Sequence, residues 1–256
     1  MNYLIAIPSY KRAEALRDKT LALLQKHQID SNRILVFVAN DEEYKIYEKV
    51  LIKGTYGSLN VGVVGMRAIR NYIQDFFDEG QYIVNMDDDI KGLKVRLNDY
   101  DCKDLEDLDD LIKKGFEVCE KVKASLWGIY PLVNAKFMYP KPSLDLRLIA
   151  GVFWGLINTH DKETYTTLTE KEDYERTIKF YIRDGKVVRF NHVGIETNYY
   201  SNEGGIGALW ERTYEKSKEA GLYLIQKYPM FCSYNKARKN HFEILLKDKR
   251  LRKKKK

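Results

Sequence analysis

The sequence predicts an α/β fold: a mostly parallel, Rossmann-related sheet flanked by helices, with an irregular C-terminal elaboration. Three observations lead there. Short apolar runs alternate with helical stretches through residues 3–86, polar residues stand at the carboxyl ends of those runs, and the periodicity loosens beyond residue 122. Continuous apolar runs suit strands buried on both faces, and parallel neighbours need crossover helices between them.

The elements follow in order. YLIAI (3–7) is a strand ended by Pro8, and 12–27 carries Leu16, Leu21, Leu23 and Leu24 in a helical setting. RILVFVA (33–39) is a second strand, ending at Asn40 and Asp41. A helix over 42–51, a strand over 59–64, a helix over 65–77 and a strand over 82–86 continue the alternation. Such a sheet places its ligand crevice along the carboxyl edge of the strands. The segment 105–122 is an amphipathic helix whose buried face is Leu108, Leu111, Ile112, Phe116, Cys119 and Val122. Less regular pieces come next: 125–129, a proline-containing loop through Pro142, and the apolar segment 146–157. A helix over 171–180, a strand over 186–190, a polar loop at 199–207 and a helix over 208–228 complete the chain. This organisation is one domain over 1–246, with halves 1–98 and 99–246, and a basic tail over 247–256.

Composition narrows the class. The 256 residues are 44% apolar and 12% aromatic with 5 prolines, which fits an ordered globular chain and not a disordered one. The net charge of +7 is carried by the tail: KDKRLRKKKK holds eight basic groups and one acid, and residues 1–246 hold 36 of each sign. A neutral body with a cationic tail suits a polyanion or an anionic membrane surface, or else a solvated tail with no partner. No basic leader followed by a long apolar run opens the chain, and no stretch is long enough to span a bilayer, so the expectation is a cytoplasmic protein. Cys102, Cys119 and Cys232 are odd in number and far apart, which argues for reduced cysteines over a disulfide framework or structural zinc.

The residues that carry chemistry begin at YIVNMDDDIK (82–91), where a buried strand runs into Asp87, Asp88 and Asp89. Consecutive carboxylates at a strand end suit a divalent cation and its phosphate ligands, or a plain acidic turn. The order of IPSYKR, VAND, GVVGMRAIRNY and the strand into DDD resembles a GT-A-type glycosyltransferase that uses nucleotide sugars. The resemblance covers residues 3–90 well and the remainder loosely. It implies that Pro8, Ser9, Tyr10 and Arg12 form the first nucleotide-binding loop and that Asp41 contacts the base or ribose. Arg67, Arg70 and Asn71 would flank the diphosphate, with ordinary surface arginines as the alternative. Asp87 and Asp89 match the outer positions of a metal-binding D-x-D motif, so a divalent metal, Mn2+ or Mg2+, and a nucleoside-diphosphate sugar, UDP-linked, are the implied cofactor and donor. Asp88 joins the nucleotide-contacting set, or else points into the scaffold or to solvent.

Late in the chain, Glu172-Asp173 resembles the Glu-Asp pair of inverting members, with Asp173 as general base and Glu172 as an orienting or acceptor-binding residue. A solvated pair in a first helical turn is the alternative. His192 would add a third metal or phosphate contact, or be a structural histidine. Gly151, Phe153 and Trp154 would line an acceptor pocket or belong to the core. Ser201, Asn202, Gly204, Gly205 and Gly207 would close over the diphosphate. Only Trp210-Glu211-Arg212 survives of the late Q/R-x-x-R-W signature of processive synthases, which favours transfer of a single sugar. The basic tail and small size look similar to bacteriophage DNA-modifying glycosyltransferases, implying DNA with 5-hydroxymethylcytosine as acceptor, its base turned out of the duplex. Two other enzyme readings remain: a cell-surface glycan transferase, and a nucleotidyltransferase, for which IPSYKR lacks the expected glycines. A non-catalytic nucleic-acid-binding module would call for a basic body.

Overall fold

The computed structural model describes residues 1–196, 213–236 and 242–254, the last three of these by backbone alone. The candidate closing loop at 199–207, and Trp210, Glu211 and Arg212, lie outside the described residues.

A nine-stranded sheet organises the described residues. Its strands are β1 (Tyr3–Pro8), β2 (Ile34–Val38), β3 (Ser58–Val61), β4 (Tyr82–Met86), β5 (Gly92–Arg96), β6 (Cys102–Asp104), β7 (Leu126–Tyr130), β8 (Phe153–Ile157) and β9 (Val188–Glu196). They lie in the order β3-β2-β1-β4-β8-β7-β9-β5-β6. The first four are mutually parallel; β7, β9 and β6 run in the same sense, and β8 and β5 are reversed. Seven strands of one sense therefore place their carboxyl ends on one edge.

The parallel half forms because β1, β2 and β4 can be buried on both faces. Tyr3, Ile5, Ile7, Val36, Val38, Val84 and Met86 fill one face, beneath α1 (13–26), α2 (Asp41–Val50) and α4 (Leu108–Val122). Ala6, Phe37 and Ile83 alternate to the other face, against Ile69, Ile73 and Phe77 of α3 (Met66–Phe76) and its end. The helix α1 is one continuous run with a π-helical centre at Leu16–Leu21.

Several elements differ in extent from the sequence expectation. The helix α4 begins at Leu108 and not at 105, because Asp107 caps it by accepting from the Asp110 amide at 2.8 Å. The helix α5 (Glu172–Asp184) runs four residues beyond the expected end: Arg183 and Asp184 bond Ser125, and Gly185, at φ 73°, supplies the left-handed stop. The strand β9 extends to Glu196, where β5 pairs with it. The expected strand over 59–64 ends at Val61, and β5 and β6 are additions with short, half-exposed sequences. The C-terminal layer consists of α6 (Tyr214–Lys227) and a hairpin of β10 (Cys232–Tyr234) and β11 (Ile244–Leu246), packed on Ile178 of α5. Lys247, Asp248, Lys249 and Arg250 are held to this layer: the Lys249 ammonium donates to Cys232 O at 3.0 Å, and Arg250 lies over the Phe231 ring. The first four residues of the basic tail are thus tied to this layer, and the backbone of Lys249–Lys254 forms a 3-10 helix.

Candidate active site

The carboxyl ends of β1 and β4 are adjacent, so the turn after each faces the other. Ser9, following Pro8, donates to Asp88 Oδ2 at 2.5 Å and lies 2.7 Å from the Tyr47 hydroxyl. The same hydroxyl accepts from the Arg12 amide at 3.0 Å. The Arg12 guanidinium stands 3.3 Å from Asp88 Oδ1 and 3.4 Å from Asp89 Oδ2. Asp88 is therefore turned into the scaffold, as one of the sequence readings had it. Burial pushes its carboxyl up to about 6, against the opposing effects of the Ser9 hydrogen bond and Arg12. Tyr10 and Lys11 sit beside this turn, Lys11 at φ 55° with its amide donating to Glu43 at 2.8 Å. Thr20, fully buried in the π-helical part of α1, closes the second turn: it donates to Asp87 O at 2.8 Å and accepts from the Ile90 amide at 3.0 Å. A π-helical segment is a common device for aiming one side chain at a functional turn.

Asp87 is the aspartate of the three with the most exposed side chain after its partners are counted, at 28%. Arg70 from α3, itself 2% exposed, donates to Asp87 Oδ1 at 2.6 Å and to Gly151 O at 3.0 Å. Burial raises the Asp87 carboxyl above its ordinary range, Arg70 opposes this, and the charges of Asp89 and Glu172 add to the rise. Glu172 and Asp173 begin α5 close by. A Cβ placed on Gly151 would stand 3.0 Å from Glu172 Oε1, so the glycine permits the approach of the two segments. Arg176, one turn further, donates to Glu172 Oε2 at 3.0 Å. Asp173 accepts from the Tyr174 amide at 2.9 Å; burial first, then the Glu172 charge, push its carboxyl up to about 6, with Arg176 and Lys171 opposing.

The structure thus brings together Pro8, Ser9, Arg12, Asp87, Asp88, Asp89, Arg70, Glu172 and Asp173 at one edge of the sheet. Asp41 is exposed at the start of α2 on that edge, behind the Asn40 cap. Other expected contacts go elsewhere. Arg67 and Asn71, expected beside a diphosphate, bind a loop: Arg67 donates to Thr167 O at 3.2 Å, and Asn71 exchanges hydrogen bonds with Thr166 at 3.0 Å. Arg70 is an internal ion-pair partner and not a surface arginine. Trp154 and Phe153 are core residues, with Arg176 over the indole at 3.9 Å and Arg70 at 5.8 Å. His192 lies mid-β9, its ring against Phe190 and the Lys114 charge of α4 bearing on it; burial lowers its proton affinity. It is not brought to the aspartates, and no three His, Cys, Asp or Glu side chains gather as a metal-binding group among the described residues.

Two carboxylates and no histidine still fit a hard divalent cation, since Mg2+ and Mn2+ take the rest of their shell from phosphate oxygens and water. The donor set here is all oxygen, the chemistry that a hard cation takes, and the Asp87 side chain keeps 28% of its surface exposed beside Arg70. Asp87 and Asp89 would hold the cation. The sequence reading missed Thr20, Tyr47, Glu175 and Arg176. Glu175, fully buried, accepts from Thr167 N at 2.6 Å, Thr167 Oγ1 at 2.7 Å and Leu168 N at 3.0 Å, fixing the loop that Arg67 and Asn71 also hold. The Glu172 to Arg176 spacing of one helical turn was the available signal for one of these.

No protein-family model matches this chain, and no curated protein matches it. Among solved structures, TarS 1-349 from S. aureus, in complex with UDP-GlcNAc, is similar with a TM-score of 0.54 and 15% identity, covering 88% of this chain and 67% of that one. A second structure of S. aureus TarS gives 0.54 and 14%, over 88% and 40%. The mannosyltransferase PcManGT from Pyrobaculum calidifontis, in complex with GDP-Man and Mn2+, gives 0.51 and 11%, over 89% and 63%. The chain spans about two thirds or less of the length of these proteins. What it shares with them is the architecture, a GT-A-like α/β fold with a mixed, mostly parallel central sheet.

Proposed function

We propose that this chain is a glycosyltransferase that moves one sugar from a nucleoside-diphosphate sugar to a hydroxyl acceptor with the help of a divalent cation. The observation that carries the reading is the meeting of the 87–89 turn with Glu172 and Asp173 through Arg70 and Gly151. Support also comes from the fold, which is shared with proteins seen with UDP-GlcNAc or with GDP-Man and Mn2+.

Each residue then has a task. Asp173 takes the proton of the acceptor hydroxyl, whose oxygen bonds to the anomeric carbon as the sugar–phosphate bond breaks. The bond electrons leave with the nucleoside diphosphate. Asp87 and Asp89 would hold a divalent cation, which would supply charge stabilisation for that leaving group. Ser9, Tyr10, Arg12 and Asp41 border the space for the nucleotide, and Glu172 orients the acceptor. The donor is read as UDP-linked and the metal as Mn2+ or Mg2+. For the acceptor, the surplus of positive charge in the last ten residues supports a polyanion such as DNA, and the choice of 5-hydroxymethylcytosine follows the resemblance to DNA-modifying glycosyltransferases. The unpaired cysteines fit the cytoplasm.

The test is intact-mass analysis of DNA duplexes, with and without 5-hydroxymethylcytosine, after incubation with Mn2+ and a panel of nucleotide sugars. A hexose-sized or pentose-sized gain confined to the modified duplex is expected. Release of nucleoside diphosphate with no gain on either duplex would keep the enzyme class and reject the DNA acceptor. No release from any donor would reject the glycosyltransferase. In Asp89→Asn, metal-dependent release should fall at least a hundredfold with the melting temperature unchanged within a few degrees.

A further inference from the structure

Three buried arginines from three different elements grip one short segment. Arg189 of β9 donates to Leu148 O at 3.4 Å, Arg176 of α5 to Ile149 O at 3.1 Å, and Arg70 of α3 to Gly151 O at 3.0 Å. Thr177 accepts from the Ile149 amide at 3.1 Å, and Val152 O accepts from the Asp87 amide at 2.9 Å. The strap 148–152 thus has four of its carbonyls and one amide fixed. Arg70 and Arg176 share the indole of Trp154 beneath it, and each carries one carboxylate of the candidate site: Arg70 holds Asp87, Arg176 holds Glu172.

We infer that Arg176 is a positioning residue: through its fork to Glu172 and Ile149 O it sets the Glu172-Asp173 pair against the 87–89 turn. The inference rests on the glycosyltransferase reading. A guanidinium suits this role better than an ammonium. Arg176 uses two nitrogens on two acceptors while its plane stacks on Trp154; a lysine keeps the charge and has three donors, but it has no rigid planar fork to span both acceptors and stack on the ring. Arg176 is 1% exposed, so its role does not involve contact with substrate. Gly151 works from the other side. With a methyl group 3.0 Å from Glu172 Oε1, the carboxylate would be displaced by a few tenths of an ångström from the position in which Arg176 holds it, and the orienting role of Glu172 depends on that position.

The experiment compares wild type, Arg176→Lys and Gly151→Ala for release of UDP or GDP from the donor that wild type uses, with Mn2+, and for melting temperature. For both variants kcat should fall at least tenfold while donor KM stays within twofold. In Gly151→Ala the melting temperature should stay within a few degrees, which keeps the test valid should Arg176→Lys fold poorly. Wild-type kcat in both variants, or a rise in donor KM that accounts for the whole loss, would overturn the positioning role and leave the enzyme reading standing. Absence of release by wild type itself would instead remove that reading, and the inference with it.

Discussion

Asp173 shows how a single residue can be costly to the fold and useful to the site. Burial and the neighbouring Glu172 charge push its carboxyl up to about 6, above the 3.8 of an ordinary aspartate. Because the folded form holds the proton more tightly, the stability linked to this group is fully present below pH 3.8 and is lost as pH rises through 6. Asp173→Asn should therefore raise the melting temperature at pH 8 by about 2–4 °C, corresponding to about 1 kcal/mol, and change it little at pH 4. Differential scanning calorimetry at the two pH values would check this, and equal shifts at both would reject burial as the cause. Activity should move in the opposite direction. In the proposed role of base Asp173 works only without its proton, so wild-type transfer should climb with pH through about 6 and be lost in the variant. Arg70 carries the converse lesson. The resemblance puts it with Arg67 beside a diphosphate, yet Ile69 and Ile73 seat α3 on the sheet and draw Arg70 inward to Asp87. Which way a helix faces depends on the sheet beneath it, and no local spacing reports that.

The elements explain why some of the fold could be read directly. The strands β1, β2 and β4 are continuous apolar runs because both of their faces are covered, and their ends were placed to within one or two residues. The short strand β5, the edge strand β6 beside it and the hairpin β10–β11 contribute few core side chains, so nothing in their composition separates them from loop. Similarly, the DDD turn was legible as chemistry, while the helix that shapes it was legible only as core. Thr20 makes the point testable. It lies in the same helix as Leu16, Leu21 and Leu24 and satisfies the carbonyl of Asp87 and the amide of Ile90, which follows the three aspartates. Thr20→Val keeps the shape and leaves both groups without this partner, at a cost of about 1–3 kcal/mol. Urea unfolding should show a loss in that range, and turnover should fall further than in Thr20→Ser, which retains the hydroxyl. Equal turnover in the two variants would detach Thr20 from the geometry of the turn.

Over the whole molecule, charge and shape are divided along the chain. Residues 1–246 are formally neutral, and the sheet gathers the acids of 87–89 and 172–173 at one edge, balanced by Arg12, Arg70 and Arg176. No helix among the described residues is long and apolar enough to cross a membrane. Positive charge beyond neutrality belongs to the last ten residues, but these do not act as one unit. Asp248 holds Arg250, its carboxyl drawn below the usual range by that hydrogen bond, and Lys247 N donates to Phe231 O at 2.7 Å. A truncation at 247 would damage the β10–β11 layer and confound any binding result. Removal of 251–256 spares those contacts and deletes five basic residues. If the tail holds a polyanion by releasing counterions, the slope of log K against log salt for duplex DNA should become shallower by up to about 4. Affinity should converge with that of the full chain at high salt, where screening removes the contribution of exposed charge. Fluorescence anisotropy of a labelled duplex across a salt series reads both quantities. An unchanged slope would mean that the tail makes no phosphate contacts, and any DNA affinity would then have to come from the neutral body.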